Sequence, residues 1–172
     1  IALDDGTAAR LDENHFVVTT TTANAVSVYR HMEFVRQCLY PKMDVQLIST
    51  TEAWAQFAVA GPNSRSVLRK IVDKEYDISN EGFPFMACGQ ITVCGGLRAR
   101  LFRISFSGEL AYELAVPTRY GDSLIREIMK AGEEFDIVPY GTEALGVMRI
   151  EKGHAAGNES VSYTHLTLPT KP

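Results

Sequence analysis

The sequence predicts an α+β fold, with antiparallel sheets and flanking helices. Three observations predict it. Short runs of alternating apolar and polar residues occur in pairs, stripes at helical spacing fall between the pairs, and Gly95-Gly96 is a hairpin turn inside one of them. Strands linked by hairpins and separated by helices belong to antiparallel α+β architecture.

Residues 8–11 and 15–22 read as a hairpin. Asp12-Glu13-Asn14 supplies the turn, and Phe16, Val18 and Thr20 share one face. Residues 24–39 read as a helix. Asn24 is its N-cap, while Val28, His31, Met32, Val35, Cys38 and Leu39 form the apolar face. Pro41 ends it, since proline has no N–H for a helix interior.

Residues 45–51 and 55–60 read as two strands. Gly61-Pro62-Asn63 stops the second and opens a helix with Val67, Leu68, Ile71 and Val72 inward. Residues 74–86 are irregular, and Phe83-Pro84-Phe85 reads as a packed loop. Three strands follow at 90–94, 97–106 and 111–116. Gly121-Asp122 opens a helix with Leu124, Ile125, Ile128 and Met129 inward, and residues 142–152 form the last helix.

The expected organisation is 1–43 as the end of a first segment, 44–134 as a central α+β subdomain, and 135–159 as a returning helix segment. Residues 160–172, Ser-Val-Ser-Tyr-Thr-His-Leu-Thr-Leu-Pro-Thr-Lys-Pro, break the helical pattern without closing a core. They read as a non-native tail, so Tyr163 and His165 carry no functional weight. Ile1 is no initiator Met, and the chain reads as a fragment cut at both ends.

Composition excludes several classes. The 172 residues are 45% hydrophobic, enough for a real core, with a net charge of −4 and dispersed basic residues. That balance argues against a nucleic-acid partner; Arg98, Arg100 and Arg103 alternate as a solvated strand face does. No apolar run is long enough for a membrane span, and no signal-peptide pattern occurs. Cys38, Cys88 and Cys94 are odd in number and lack zinc-ligand spacing, so they read as reduced thiols of an intracellular protein. The histidines His15, His31 and His154 have no ligand spacing either, and no metal site is expected.

The residues with chemical promise are carboxylates. Glu109 and Glu113 lie four apart at the approach to a strand. In extended chain, Glu113 shares a face with Ala111 and Ala115, small neighbours that leave room for a ligand. There it could accept two hydrogen bonds from an amino-pyrimidine edge. It could equally be a surface Glu or a partner of Arg103 or Arg149. Arg149 lies in an otherwise apolar helix and is expected to bond backbone carbonyls or Glu113. Asp4-Asp5 precedes a strand; paired acids there are ordinary turn residues unless one faces a substrate nitrogen. Trp54 reads as a packing residue rather than a stacking platform.

Four motifs in order carry a family resemblance: Asp4-Asp-Gly-Thr with Arg10-Leu; Ala53-Trp-Ala followed by Ala58-Val-Ala-Gly-Pro-Asn-Ser-Arg65; Gly108-Glu-Leu-Ala-Tyr-Glu113; and Gly141 with Arg149-Ile-Glu-Lys-Gly153. They resemble the aminomethyltransferase (glycine-cleavage T-protein) superfamily over residues 1 to about 159. Thr19-Thr-Thr-Thr-Ala-Asn24, Arg103-Ile-Ser-Phe-Ser-Gly-Glu-Leu-Ala-Tyr-Glu113 and Val147-Met-Arg-Ile-Glu-Lys-Gly-His154 are most similar to its sarcosine oxidase alpha-subunit branch.

The resemblance implies a partial aminomethyltransferase folate-binding fold with tetrahydrofolate as cofactor. It implies a cytoplasmic enzyme that oxidises sarcosine to glycine, 5,10-methylenetetrahydrofolate and hydrogen peroxide. FAD, FMN and NAD belong to the full enzyme outside this chain, and the partners are the beta, gamma and delta subunits. The catalytic positions it implies are Asp4 and, second, Asp5. The folate-binding positions are Glu113, Tyr112, Phe106 and Glu109. There are departures: T-proteins carry Arg where Leu145 stands and often Tyr where Phe106 stands. Both favour an oxidase subunit over a stand-alone glycine-cleavage or dimethylglycine oxidase-type protein. A non-catalytic folate-binding module and a subunit-docking domain are the remaining alternatives.

Overall fold

The computed structural model describes residues 3–154. They fall into two compact units, one reaching Ser49 and one spanning Thr50–His154. The tail expected at 160–172 lies outside the described residues.

The first unit begins with a hairpin. β1 (Ala8–Asp12) pairs antiparallel with β2 (His15–Val18), with Ala9 opposite Val17 and an irregularity between Arg10 and Asp12. The Asp12 carboxylate accepts the Glu13 N–H at 2.7 Å, the kind of local bond that makes Asp a turn former. β2 ends four residues earlier than the pattern suggested, because Asp4 takes the Thr21 N–H that a longer strand would use. A 3-10 turn at Thr22–Asn24 leads into α1 (Ala25–Phe34), which widens into a π turn at Val35–Leu39 and stops before Pro41.

Two expectations fail in this unit. Asn24 makes no side-chain cap, since its amide is committed to Asp4. Residues 45–50 form no strand. Val45 and Ile48 are exposed, and alternation alone cannot make a strand without an edge to pair with.

The second unit is built on a four-stranded antiparallel sheet in the order β3-β6-β5-β4. These are β3 (Trp54–Ala60), β4 (Cys88–Val93), β5 (Leu97–Phe102) and β6 (Ala111–Pro117). β6, last in sequence, is an inner strand, with Ala58 opposite Glu113 on one side and Phe102 opposite Glu113 on the other. The β4–β5 hairpin turns at Gly95-Gly96, whose φ values of +83° and +113° suit glycine. The Asp73 carboxylate clamps that turn by accepting both glycine N–H groups at 2.8 Å.

Alternation sorts the sheet into two faces. Val59, Leu101, Tyr112, Leu114 and Val116 point into the core, where α2 (Ser64–Leu68) contributes Val67 and Leu68 and α3 (Gly121–Gly132) contributes Leu124 and Ile128. α2 is shorter than its stripe implied, yet Ile71 and Val72 stay buried, and Val72 bridges to Val93. β5 was expected to run to residue 106 but ends at Phe102. Beyond it the Arg103 guanidinium is drawn to the Phe83 carbonyl at 2.8 Å and Asn80 Oδ1 at 2.9 Å, and the chain turns away. α4 (Thr142–Glu151) closes the unit with no fully buried residue; Val147 and Ile150, apolar neighbours of Arg149 on that helix, are exposed.

Candidate functional site

The second face of the sheet carries Glu113. Along β6 its neighbours on that face are Ala111 and Ala115, and across the strands they are Ala58 and Phe102. Three alanines therefore surround one carboxylate, as strand periodicity suggested for two of them. Burial pushes the Glu113 carboxyl up from its ordinary value, and a hydrogen bond from Gln56 pulls it part of the way back. That bond runs from Gln56 Nε2 to Glu113 Oε2. Arg103 donates to the Phe83 carbonyl and Asn80 Oδ1, and Arg149 Nη1 donates to the His154 carbonyl at 3.1 Å.

Beside this carboxylate lies a cation–π pair. Gln56 and Arg100 flank Ala115 from opposite strands. The small Ala115 side chain lets Arg100 reach across β6, so its guanidinium lies 3.8 Å from the centre of the Trp54 ring. Trp54 is thus a stacking platform as well as a packing residue. Burial lowers the Arg100 pKa. Tyr140, in the loop before α4, has its phenol raised first by burial and then by the charge of Glu113, which places it near that carboxylate.

Tyr112 is separated from Glu113 by the strand itself. It is fully buried on the core face, and its hydroxyl accepts the Arg65 Nε–H at 2.7 Å. Phe106 and Glu109 lie in the loop after β5 and meet the end of α4. Glu109 is paired with Lys152 at 2.9 Å. Phe106 meets the His154 ring edge-on at 5.1 Å, with the Arg149 guanidinium 5.8 Å from its ring centre. Gly108, at φ +79°, allows the Lys152 stem to lie where a Cβ would collide with it.

In the first unit the Asp pair divides. Asp4 Oδ2 accepts the Thr21 N–H at 2.8 Å, and Oδ1 accepts the Thr21 hydroxyl at 2.8 Å and the Asn24 amide at 3.1 Å. Desolvation alone would raise the Asp4 pKa, but these bonds from Asn24 and Thr21 outweigh it and hold the carboxyl below its ordinary value. Asp5 Oδ2 is buried and has no hydrogen-bond partner. Two adjacent acids with one sequence signature therefore have opposite states of satisfaction.

Gln56, Arg100 and Tyr140 escaped the sequence reading. The only available signal was spacing from Trp54, and it becomes informative once β3 is known to pair with β6. Among the described residues, no group of three or more His, Cys, Asp or Glu side chains could hold a metal ion, and no helix is long and apolar enough to cross a membrane.

The candidate site is thus an alanine-walled carboxylate on an antiparallel sheet, followed by a loop and by a helix that leads into the Arg149-Ile-Glu-Lys-Gly153 run. The chain belongs to the GCVT N-terminal domain family, whose model matches residues 1–168. It is 55% identical over 157 residues to the sarcosine oxidase subunit alpha of Rhizobium meliloti (strain 1021), covering 91% of this chain and 16% of that protein. It is 35% identical over 113 residues to the mitochondrial sarcosine dehydrogenase of Homo sapiens, covering 66% of this chain and 12% of the relative. The chain thus spans a small part of the curated relatives it matches. The fold is similar to that of a heterotetrameric sarcosine oxidase from Corynebacterium sp. U-96 in complex with pyrrole 2-carboxylate, with a TM-score of 0.60 and 14% identity over 81% of this chain and 65% of the other.

Proposed function

We propose that this chain is the tetrahydrofolate-binding, one-carbon-transfer portion of a sarcosine oxidase alpha subunit. The observation that carries the reading is Glu113: a desolvated carboxylate on an inner strand, walled by Ala58, Ala111 and Ala115. A buried carboxylate costs free energy unless donors meet it. An amino-pyrimidine edge supplies two donors in the bidentate geometry a carboxylate accepts, and the alanines around Glu113 offer no competing donor. The donor set fits the pterin of a reduced folate.

The whole-enzyme reaction in this reading is the one the family resemblance implies. There a flavin would supply the electron acceptor for oxidising sarcosine to an imine, with oxygen taking the electrons on to hydrogen peroxide. The methylene carbon then leaves for folate and glycine is released. The flavins, NAD and the beta, gamma and delta subunits belong to that assembly. Folate supplies the amine that receives the carbon. The work of this chain is to bind, orient and exclude water, worth several kcal/mol through proximity alone. In the first unit, the Asp pair divides the labour. Asp4 secures the Thr21–Asn24 turn. Asp5, with acceptor capacity to spare, is the carboxylate that favours a cationic iminium or takes a proton from nitrogen. Phe106 and Glu109 shape the loop through Lys152, Arg149 and His154 rather than by gripping the ring.

Titration of the full chain with tetrahydrofolate tests the reading. Glu113→Ala removes two charge-assisted hydrogen bonds and is expected to weaken binding about a hundredfold. An unchanged dissociation constant would remove folate from the proposal. In the assembled enzyme, Asp5→Asn is expected to slow methylene transfer about a hundredfold with little change in folate affinity. Equal rates for Asp5→Asn and the parent would return Asp5 to the turn.

A further inference from the structure

We propose that Gln56 is the positioning residue for Glu113: its amide N–H fixes the direction and charge of that carboxylate. The inference rests on the reading of Glu113 as the ligand-holding group, and its test is arranged to separate the two. Gln56 stands opposite Ala115 on β3, one diagonal step from Glu113 across the strand pair. Its Nε2 donates to Glu113 Oε2. The alanines around Glu113 carry no donor and cannot hold it. A glutamate on a half-buried sheet face would otherwise sample several rotamers and, being partly desolvated, would hold its proton to higher pH.

The arrangement divides the carboxylate between two tasks. Oε2 is engaged by a neutral donor, which steadies the anion without cancelling its charge. A lysine or arginine in the same place would form an ion pair that a ligand must break. Oε1 and the second lone pair of Oε2 are left for the two donors of a ring edge. The other charged or titratable groups on this side do not replace Gln56. Arg100 on β5 is turned over Trp54, and Tyr140 meets Glu113 only as a weak acid whose own ionisation the carboxylate opposes. Gln56 itself is exposed, so it adds little to the core and is free to serve the carboxylate.

The test uses carboxyl carbon titration by NMR on the full chain, comparing the parent with Gln56→Met, which keeps side-chain length and loses the donor. The expected result is a Glu113 inflection at higher pH in Gln56→Met, and one returned to lower pH in Gln56→Lys. Tetrahydrofolate affinity in Gln56→Met is expected to fall about tenfold at neutral pH, and further as pH is lowered. Identical inflections in the parent and Gln56→Met would overturn the inference. A shifted inflection together with a folate affinity insensitive to both Gln56→Met and Glu113→Ala would uphold the positioning role and remove the folate reading instead.

Discussion

The two faces of β6 are seven residues read in alternation, and they do opposite things. Tyr112, Leu114 and Val116 are fully buried against α2 and α3 and hold the second unit together. Ala111, Glu113 and Ala115 face the other way, two buried alanines with a partly desolvated carboxylate between them. One face gains free energy by burying surface, and the other gives some up to keep a charge available. The difference teaches that the functional residue of this strand is identified by what surrounds it. A glutamate on a strand is common; one ringed by alanines and held by an amide is what the proposed site rests on.

The comparison breaks most easily at Leu114. Leu114→Ala removes a fully buried side chain from the centre of the sheet and is expected to cost about 3 kcal/mol in a denaturant titration. Glu113→Ala, one residue away, is expected to cost far less stability while losing the ligand. Equal destabilisation by the two would mean that Glu113 is structural and that the faces are not divided as described.

Tyr112→Phe sharpens the division with a smaller change. It removes only the hydroxyl that accepts from Arg65 Nε, for an expected loss of about 1 kcal/mol. Arg65 keeps its bond to Asn80 Oδ1, which limits the damage. Folate affinity should not move, because Tyr112 lies on the core face. A loss of affinity in Tyr112→Phe at unchanged stability would place the tyrosine in the ligand site after all.

Much of this architecture was legible in advance because it is local. The Gly95-Gly96 hairpin, the α3 stripe of Leu124 and Ile128, and the stop at Pro41 each depend on neighbours within a few residues. The alanine spacing around Glu113 was legible for the same reason, since period-two alternation is a property of one strand. What escaped depends on pairing at long sequence separation. Gln56 and Glu113 meet only because β3 lies beside β6, 57 residues away. Arg100 reads as a solvated arginine until Trp54 is placed across the sheet from it. Residues 45–50 show the converse: alternation was present, but no partner edge was. The Asp pair could not be resolved at all from sequence, because Asp4 and Asp5 differ only in whether Thr21 and Asn24 reach them.

The smallest expected effect is also the most discriminating, and it concerns the stability of the empty protein. Glu113 has its carboxyl raised, first by burial and against the pull of Gln56. The sign follows. Below the ordinary value of 4.5 the group is protonated in both folded and unfolded chains and contributes nothing pH-dependent. As pH rises through 4.5 toward the higher folded value, the unfolded chain ionises first, and the folded state loses relative stability. Glu113→Gln keeps the shape, still offers Gln56 an acceptor, and removes the ionisation. Its melting temperature should therefore match the parent at acid pH and exceed it increasingly above 4.5, levelling off once Glu113 is ionised in the folded parent as well. The same variant should bind tetrahydrofolate poorly at every pH. A protein that becomes more stable and less able to bind through one isosteric change has kept its charge for the ligand. A parent that is the more stable of the two at neutral pH would show instead that the carboxylate serves the fold.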